Sequence, residues 1–210
     1  MKCRGRYGAL AVWLLSAVLS LGWGLPSFAQ TNCPIEGKSK SGGRLPEAKK
    51  ELNRLKNRTE FPTNLQNWSV GDILAIDDSR DTSLEQQGVV LDGFLLNFKH
   101  EGPESPNCYS QTRRDFHMWM GARPGSSNAN ANLLRSQSVV VEPPPLMQDQ
   151  HATWIKDNFK NIKGKHIRVT GWLMFDPEHP DQLGKTRGTL WEVHPVMKIE
   201  MLQGGGWVEF

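Results

Sequence analysis

The stretch from Gly164 to Met201 (GKHIRVTGWLMFDPEHPDQLGKTRGTLWEVHPVMKIEM) constrains this chain more than any other, because it reads as two long strands joined by one polar loop. Ile167, Val169, Gly171, Leu173 and Phe175 alternate with His166, Arg168, Thr170 and Trp172, the period-two pattern of a sheet with one face in a core. Gly171 leaves room for a bend. In the second strand Trp191, Val193, Met197, Ile199 and Met201 share one parity and Glu192, His194, Lys198 and Glu200 the other. Pro195 marks a bulge or an unpaired edge position. Glu192 and His194 are therefore expected to project together, away from the core.

Three strands are predicted upstream. Gly88–Lys99 is rich in Val, Leu and Phe around a bend-permitting Gly93, Arg113–Gly121 places Phe116, Met118 and Met120 opposite Asp115, His117 and Trp119, and Ser136–Glu142 ends at Pro143-Pro144-Pro145. The Gly-, Ser- and Asn-rich residues 122–133 read as a flexible connection. Gln148–Lys163 then puts Ala152, Ile155, Phe159 and Ile162 on one helical face, with Gly164 as a stop. Three strands, a helix and two strands is the order of the OB-fold, so a mainly β, OB-fold-like five-stranded Greek-key barrel is expected over residues 86–203, with its helix between strands three and four.

Residues 1–29 read as a signal peptide, with Lys2, Arg4 and Arg6 before the apolar run Ala9–Trp23 and Ser27-Phe28-Ala29 as the cleavage site. The alternative is an uncleaved anchor, for which the run is short. A secreted or periplasmic protein follows, with no transmembrane segment once the signal is removed. The 25 basic residues then fall by three to 22, matching the 22 acidic ones, so an extended nucleic-acid partner is disfavoured. Residues 30–85 form an N-terminal helical arm: Ala48, Leu52 and Leu55 lie on one face of a helix over Pro46–Arg58, and Val70–Ile76 reads as a strand or extended segment. Residues 204–210 look like a flexible tail. In an oxidising compartment Cys33 and Cys108 are expected to pair; free or metal-binding thiols are the alternative.

Four segments also carry a resemblance. Leu52–Thr59 (LNRLKNRT), Arg114–His117 (RDFH), Arg168–His179 (RVTGWLMFDPEH) and Trp191–Glu200 (WEVHPVMKIE) resemble a group of uncharacterised exported bacterial proteins with an OB-like domain and a Trp-Glu-Val/Ile-His-Pro motif. The resemblance implies the fold and the exported setting, and no substrate. Those proteins carry a closer cysteine pair in the first barrel loop, where this chain has only Cys108, so their disulfide arrangement does not transfer.

No G-x-S-x-G, phosphate-binding glycine loop, H-E-x-x-H or cysteine–histidine signature is present. The remaining candidates are histidines with carboxylate neighbours: Asp115-x-His117, Glu178-His179 and Glu192-x-His194, with His100 as a fourth imidazole. Imidazole beside carboxylate is what zinc or another divalent metal requires, so His117, His179 and His194 form the candidate metal set. The competing reading is structural hydrogen bonding at the barrel surface. Trp119 and Trp172 are expected as exposed stacking platforms, with Glu178, His179, Lys185 and Arg187 of the loop 176–188 as ligand-binding groups. The functional expectation is a binding or structural module for a small polar ligand, a carbohydrate or a protein partner. Its alternative is an exported metal-dependent, nuclease-like hydrolase built on the three histidines.

Overall fold

Runs of Val, Leu, Ile and Met that hide one parity each close on themselves, which removes the open sheet edges they would otherwise expose. The computed structural model describes residues 33–210, so the expected signal peptide lies outside the described residues. Among the described residues seven strands are formed: β1 (Leu65–Ser69), β2 (Gly88–His100), β3 (Phe116–Gly121), β4 (Val139–Val141), β5 (His166–Phe175), β6 (Trp191–Gln203) and β7 (Gly206–Glu209). Five of them make the closed barrel β2–β3–β4–β6–β5 and back to β2. Only the β4–β6 pair in it is parallel. The β5–β2 seam pairs Val89 with Gly171 and Gly93 with Ile167, as the OB-like order requires. Leu91, Leu95, Met118, Val141, Val169, Leu173, Val193 and Ile199 fill the interior, with Trp154 and Trp191 fully inside and Trp68 half-buried against it.

Gly171 is needed for contact rather than freedom. A Cβ there would overlap the Pro195 carbonyl oxygen and crowd Val193 Cγ1 at 2.8 Å, at the point where the β5–β6 register shifts. Gly171→Ala is therefore expected to cost about 1–3 kcal/mol as an overpacked position, read as a lower urea midpoint with an unchanged slope.

Several local expectations change. Val70–Leu74 is a helix (α2), not a strand, because Ser69 and Asp72 form a capping box, with Ser69 N–H donating to Asp72 at 2.7 Å. The connection at 122–133 contains a helix too, Asn128–Leu134 (α3), capped by the Ser127 hydroxyl. Between β4 and β5 the helix is shorter than its apolar stripe: one turn at Pro145–Gln148 (α4) precedes Lys156–Asn161 (α5). Trp154 turns into the core, donating to the Phe210 carbonyl at 3.2 Å, and this leaves Ile155 extended and exposed. Residues 204–210 are not a loose tail, since β7 folds back antiparallel on β6.

The arm carries α1 (Glu47–Lys56), which docks by Leu52, Asn53 and Lys56 rather than by Ala48 and Leu55. Its contacts are polar. Asn53 donates to Ser105 Oγ at 2.8 Å and Asn57 to the Pro106 carbonyl at 3.0 Å, while Cys33 and Cys108 form the expected disulfide, with Cα atoms 5.8 Å apart. Among the described residues no helix is long and apolar enough to cross a membrane.

Candidate metal centre

Barrel register decides which side chains meet. Met118 pairs with Val141 across β3–β4, and Val141 with Val193 across β4–β6. One residue further along both ladders, Glu142 falls between His117 and His194. Its backbone is fixed there, donating to the Val193 carbonyl and accepting from Val196 N–H, each at 3.0 Å. Alternation places Glu142, His117 and His194 on the outer face of the barrel with Trp119, Val140 and Glu192.

That outer face is roofed, which period-two reading cannot show. Ala131 and Leu134 of α3 bury Trp119 and Val140, and the loop after β5 lays Thr186 and Arg187 over them, with Trp119 Nε1 donating to the Thr186 carbonyl at 2.6 Å. The loop after β2 adds Glu101, held by its N–H to the Asp115 carbonyl at 2.9 Å, and α1 inserts Lys56. Glu192 and His194 thus point away from the core as expected, yet they are 1% and 0% exposed.

Two groups of ligand-competent atoms share Glu142. In the first, His117 Nδ1 is 2.6 Å from Glu142 Oε1 and 2.7 Å from Glu101 Oε1. An Nδ1 carries at most one hydrogen, and its direction serves neither oxygen, so both nitrogens of the buried His117 ring lack a hydrogen-bond partner. In the second group, His194 Nδ1 is 3.2 Å from both Glu142 Oε2 and Glu192 Oε1, and Nε2 is 3.7 Å from Asp115 Oδ2. Asn107 donates to the other Asp115 oxygen at 2.8 Å.

Charges are arranged around this core in ordered pairs. Arg187 bridges Asp176 at 2.9 Å and Glu192 at 3.4 Å, while Lys56 Nζ lies 3.6 Å from Glu104 and 3.7 Å from Glu178. Burial opposes charging of His117, but Glu142 and Glu101 outweigh it and lift the ring to about 9. His194 rises to about 10 by the same contest, with Glu142, Glu192 and Asp115 overcoming burial. Burial drives Asp115 up to about 7 against the pull of His194. Glu142 goes the other way: burial would raise it, and the two imidazoles hold it well below the ordinary carboxylate range.

The expected residues are distributed unevenly. His117 and His194 meet through Glu142, whereas His179 stands on Asp176 at 2.6 Å and belongs to neither group, so the three-histidine set does not form. His100 lies against Phe116, ring centres 4.1 Å apart. Trp119 is buried beneath Arg135, and Trp172 is half-covered by Arg58, with its N–H on the Glu60 carbonyl; neither is an open platform, because α3 and the arm occupy those faces. Of the ligand-binding set, Glu178 and Lys185 stand exposed, Glu178 occupied by Lys49 at 2.5 Å, and Arg187 is buried. Glu101, Glu142 and Lys56 escape the sequence reading. The signal for Glu142 is a carboxylate placed directly after Val139-Val140-Val141 and before three prolines, at a position that continues a buried strand.

No protein-family model, curated protein or solved structure matches this chain.

Proposed function

We propose that this chain is an exported OB-like module that binds a divalent metal ion, zinc in the simplest case, at Glu101, His117 and Glu142. One observation carries the reading: two carboxylate oxygens converge within 2.7 Å of a buried imidazole nitrogen whose single N–H serves neither of them. Ligand bonds of about 2.1 Å in a tetrahedral set hold donor atoms about 3.4 Å apart, so these three side chains spread by roughly 1 Å to admit an ion. Lys56 and Arg187 pair with the surrounding carboxylates Glu104, Glu178, Asp176 and Glu192 and balance their charge around the group. The joined cysteines, the leader-like residues 1–29 and the resemblance to exported proteins support an oxidising, extracytoplasmic setting.

A binding or structural role fits better than hydrolysis, since His117 and Glu142 are buried and leave a substrate little surface from which to reach an ion. The test is zinc titration of chelator-stripped protein by calorimetry and thermal unfolding. Saturable binding with a rise in Tm is expected, and His117→Gln should weaken affinity at least 100-fold, the order of loss for a directly bound ligand. No heat of binding together with an unmoved Tm would remove the proposal.

A further inference from the structure

Resting on that reading, we infer that the centre is dinuclear: a second divalent ion is held by Asp115, His194 and Glu142, with Glu142 bridging the two ions through its two oxygens. The first argument is exclusion. Donor atoms on one ion with bonds of about 2.1 Å lie no more than about 4.2 Å apart. The two groups Glu101–His117–Glu142 and Asp115–Glu142–His194 each gather within 4.8 Å, but the five residues do not form one such group. One ion cannot serve both.

The second argument comes from atoms left without an answer. His194 Nε2 and Asp115 Oδ2 are both buried, both lack a hydrogen-bond partner, and they face each other at 3.7 Å. A bare imidazolium–carboxylate pair would close to a charge-assisted bond of about 2.8 Å. The gap instead matches two metal–ligand bonds of about 2.1 Å meeting at a wide angle. His194 Nδ1, 3.2 Å from Glu192 Oε1, then has the carboxylate partner that a metal-bound histidine uses to set its tautomer.

The third argument is the shared carboxylate. Glu142 Oε1 addresses His117 while Oε2 lies 3.2 Å from His194 Nδ1, so for an ion on Nε2 the Oε2 atom leaves Nδ1 to Glu192 and turns within the 4.8 Å span that gathers Asp115, Glu142 and His194. Carboxylate-bridged pairs of ions stand about 3.5–4 Å apart and act jointly on oxygen ligands such as water or phosphate. The ligand class for this centre is accordingly a pair of divalent cations with affinity for carboxylate and imidazole, such as zinc or manganese.

Stoichiometry separates this inference from the reading beneath it. The full chain with its disulfide intact is stripped with chelator, dialysed against Zn2+ and assayed for metal per chain, and a parallel Mn2+-loaded sample is measured by electron paramagnetic resonance. Two equivalents of zinc and an exchange-coupled manganese spectrum are expected, and Asp115→Asn should retain one equivalent with an uncoupled six-line signal. One equivalent in the unaltered protein, undisturbed by Asp115→Asn, overturns the second site and leaves the first standing. No retained metal overturns both. The coupled spectrum of the unaltered protein decides the matter even if the variant fails to fold.

Discussion

Serine at both Cys33 and Cys108 is expected to lower the unfolding free energy by about 4 kcal/mol, the loop-closure value for a cross-link spanning about 75 residues. Ahead of β1 the rest of the attachment is the buried Leu52, the Asn53 and Asn57 side-chain bonds, and ion pairs such as Lys49–Glu178, which are partly solvent-exposed and individually weak. Loosening of the arm also withdraws Lys56 from Glu104 and Glu178, leaving those carboxylates without their buried cation. Urea unfolding of the reduced-equivalent variant against the parent measures the effect; a loss below about 1 kcal/mol would mean that the arm is held by packing instead.

Metal-free protein is expected to lose several kcal/mol of stability as pH rises from about 7 to about 10. His117 and His194 sit above the ordinary histidine value, at about 9 and about 10, so the folded state binds protons that the unfolded state has released. That contribution is complete below about 6.5 and disappears as pH climbs through the two folded values. Asp115, raised to about 7, works in the same direction at lower pH, because its proton is favoured in the folded chain. Saturating zinc should reverse the profile: ions replace the protons, the alkaline loss vanishes, and stability instead falls on acidification as protons compete for the imidazoles. Matching slopes with and without zinc would sink this expectation.

Barrel and site were legible to different depths for one physical reason. Alternation reports which residues share a face, and it placed Ile167, Val169, Leu173, Val193 and Ile199 inside the barrel correctly. It carries no information about what lies on the opposite face. Trp119, Glu192 and His194 therefore read as surface groups, although α3, the loop after β5 and α1 cover them. Short elements escaped for a related cause: α2 and α3 depend on single capping side chains, Ser69 and Ser127, more than on periodicity. Cys33 and Cys108 were readable because the expected export and the cysteine count leave few choices. The role of Glu142 was not, because it emerges only when two ladders are extended by one residue.

The strand that closes this barrel is also its shortest. β4 offers three residues, and only Val140 and Val141 pair with β6, so the seam there has far fewer rungs than the β2–β5 seam. Glu142 stands at the end of that seam, between a histidine of β3 and one of β6. Ions bound by it would fasten three strands at the place where the backbone fastens them least, and any opening of the barrel at this point would first have to release metal. On the proposed reading the centre would act as a clasp on unfolding: loaded protein would resist protease and heat in proportion to how slowly the ions leave, whatever the stability of the rest of the sheet.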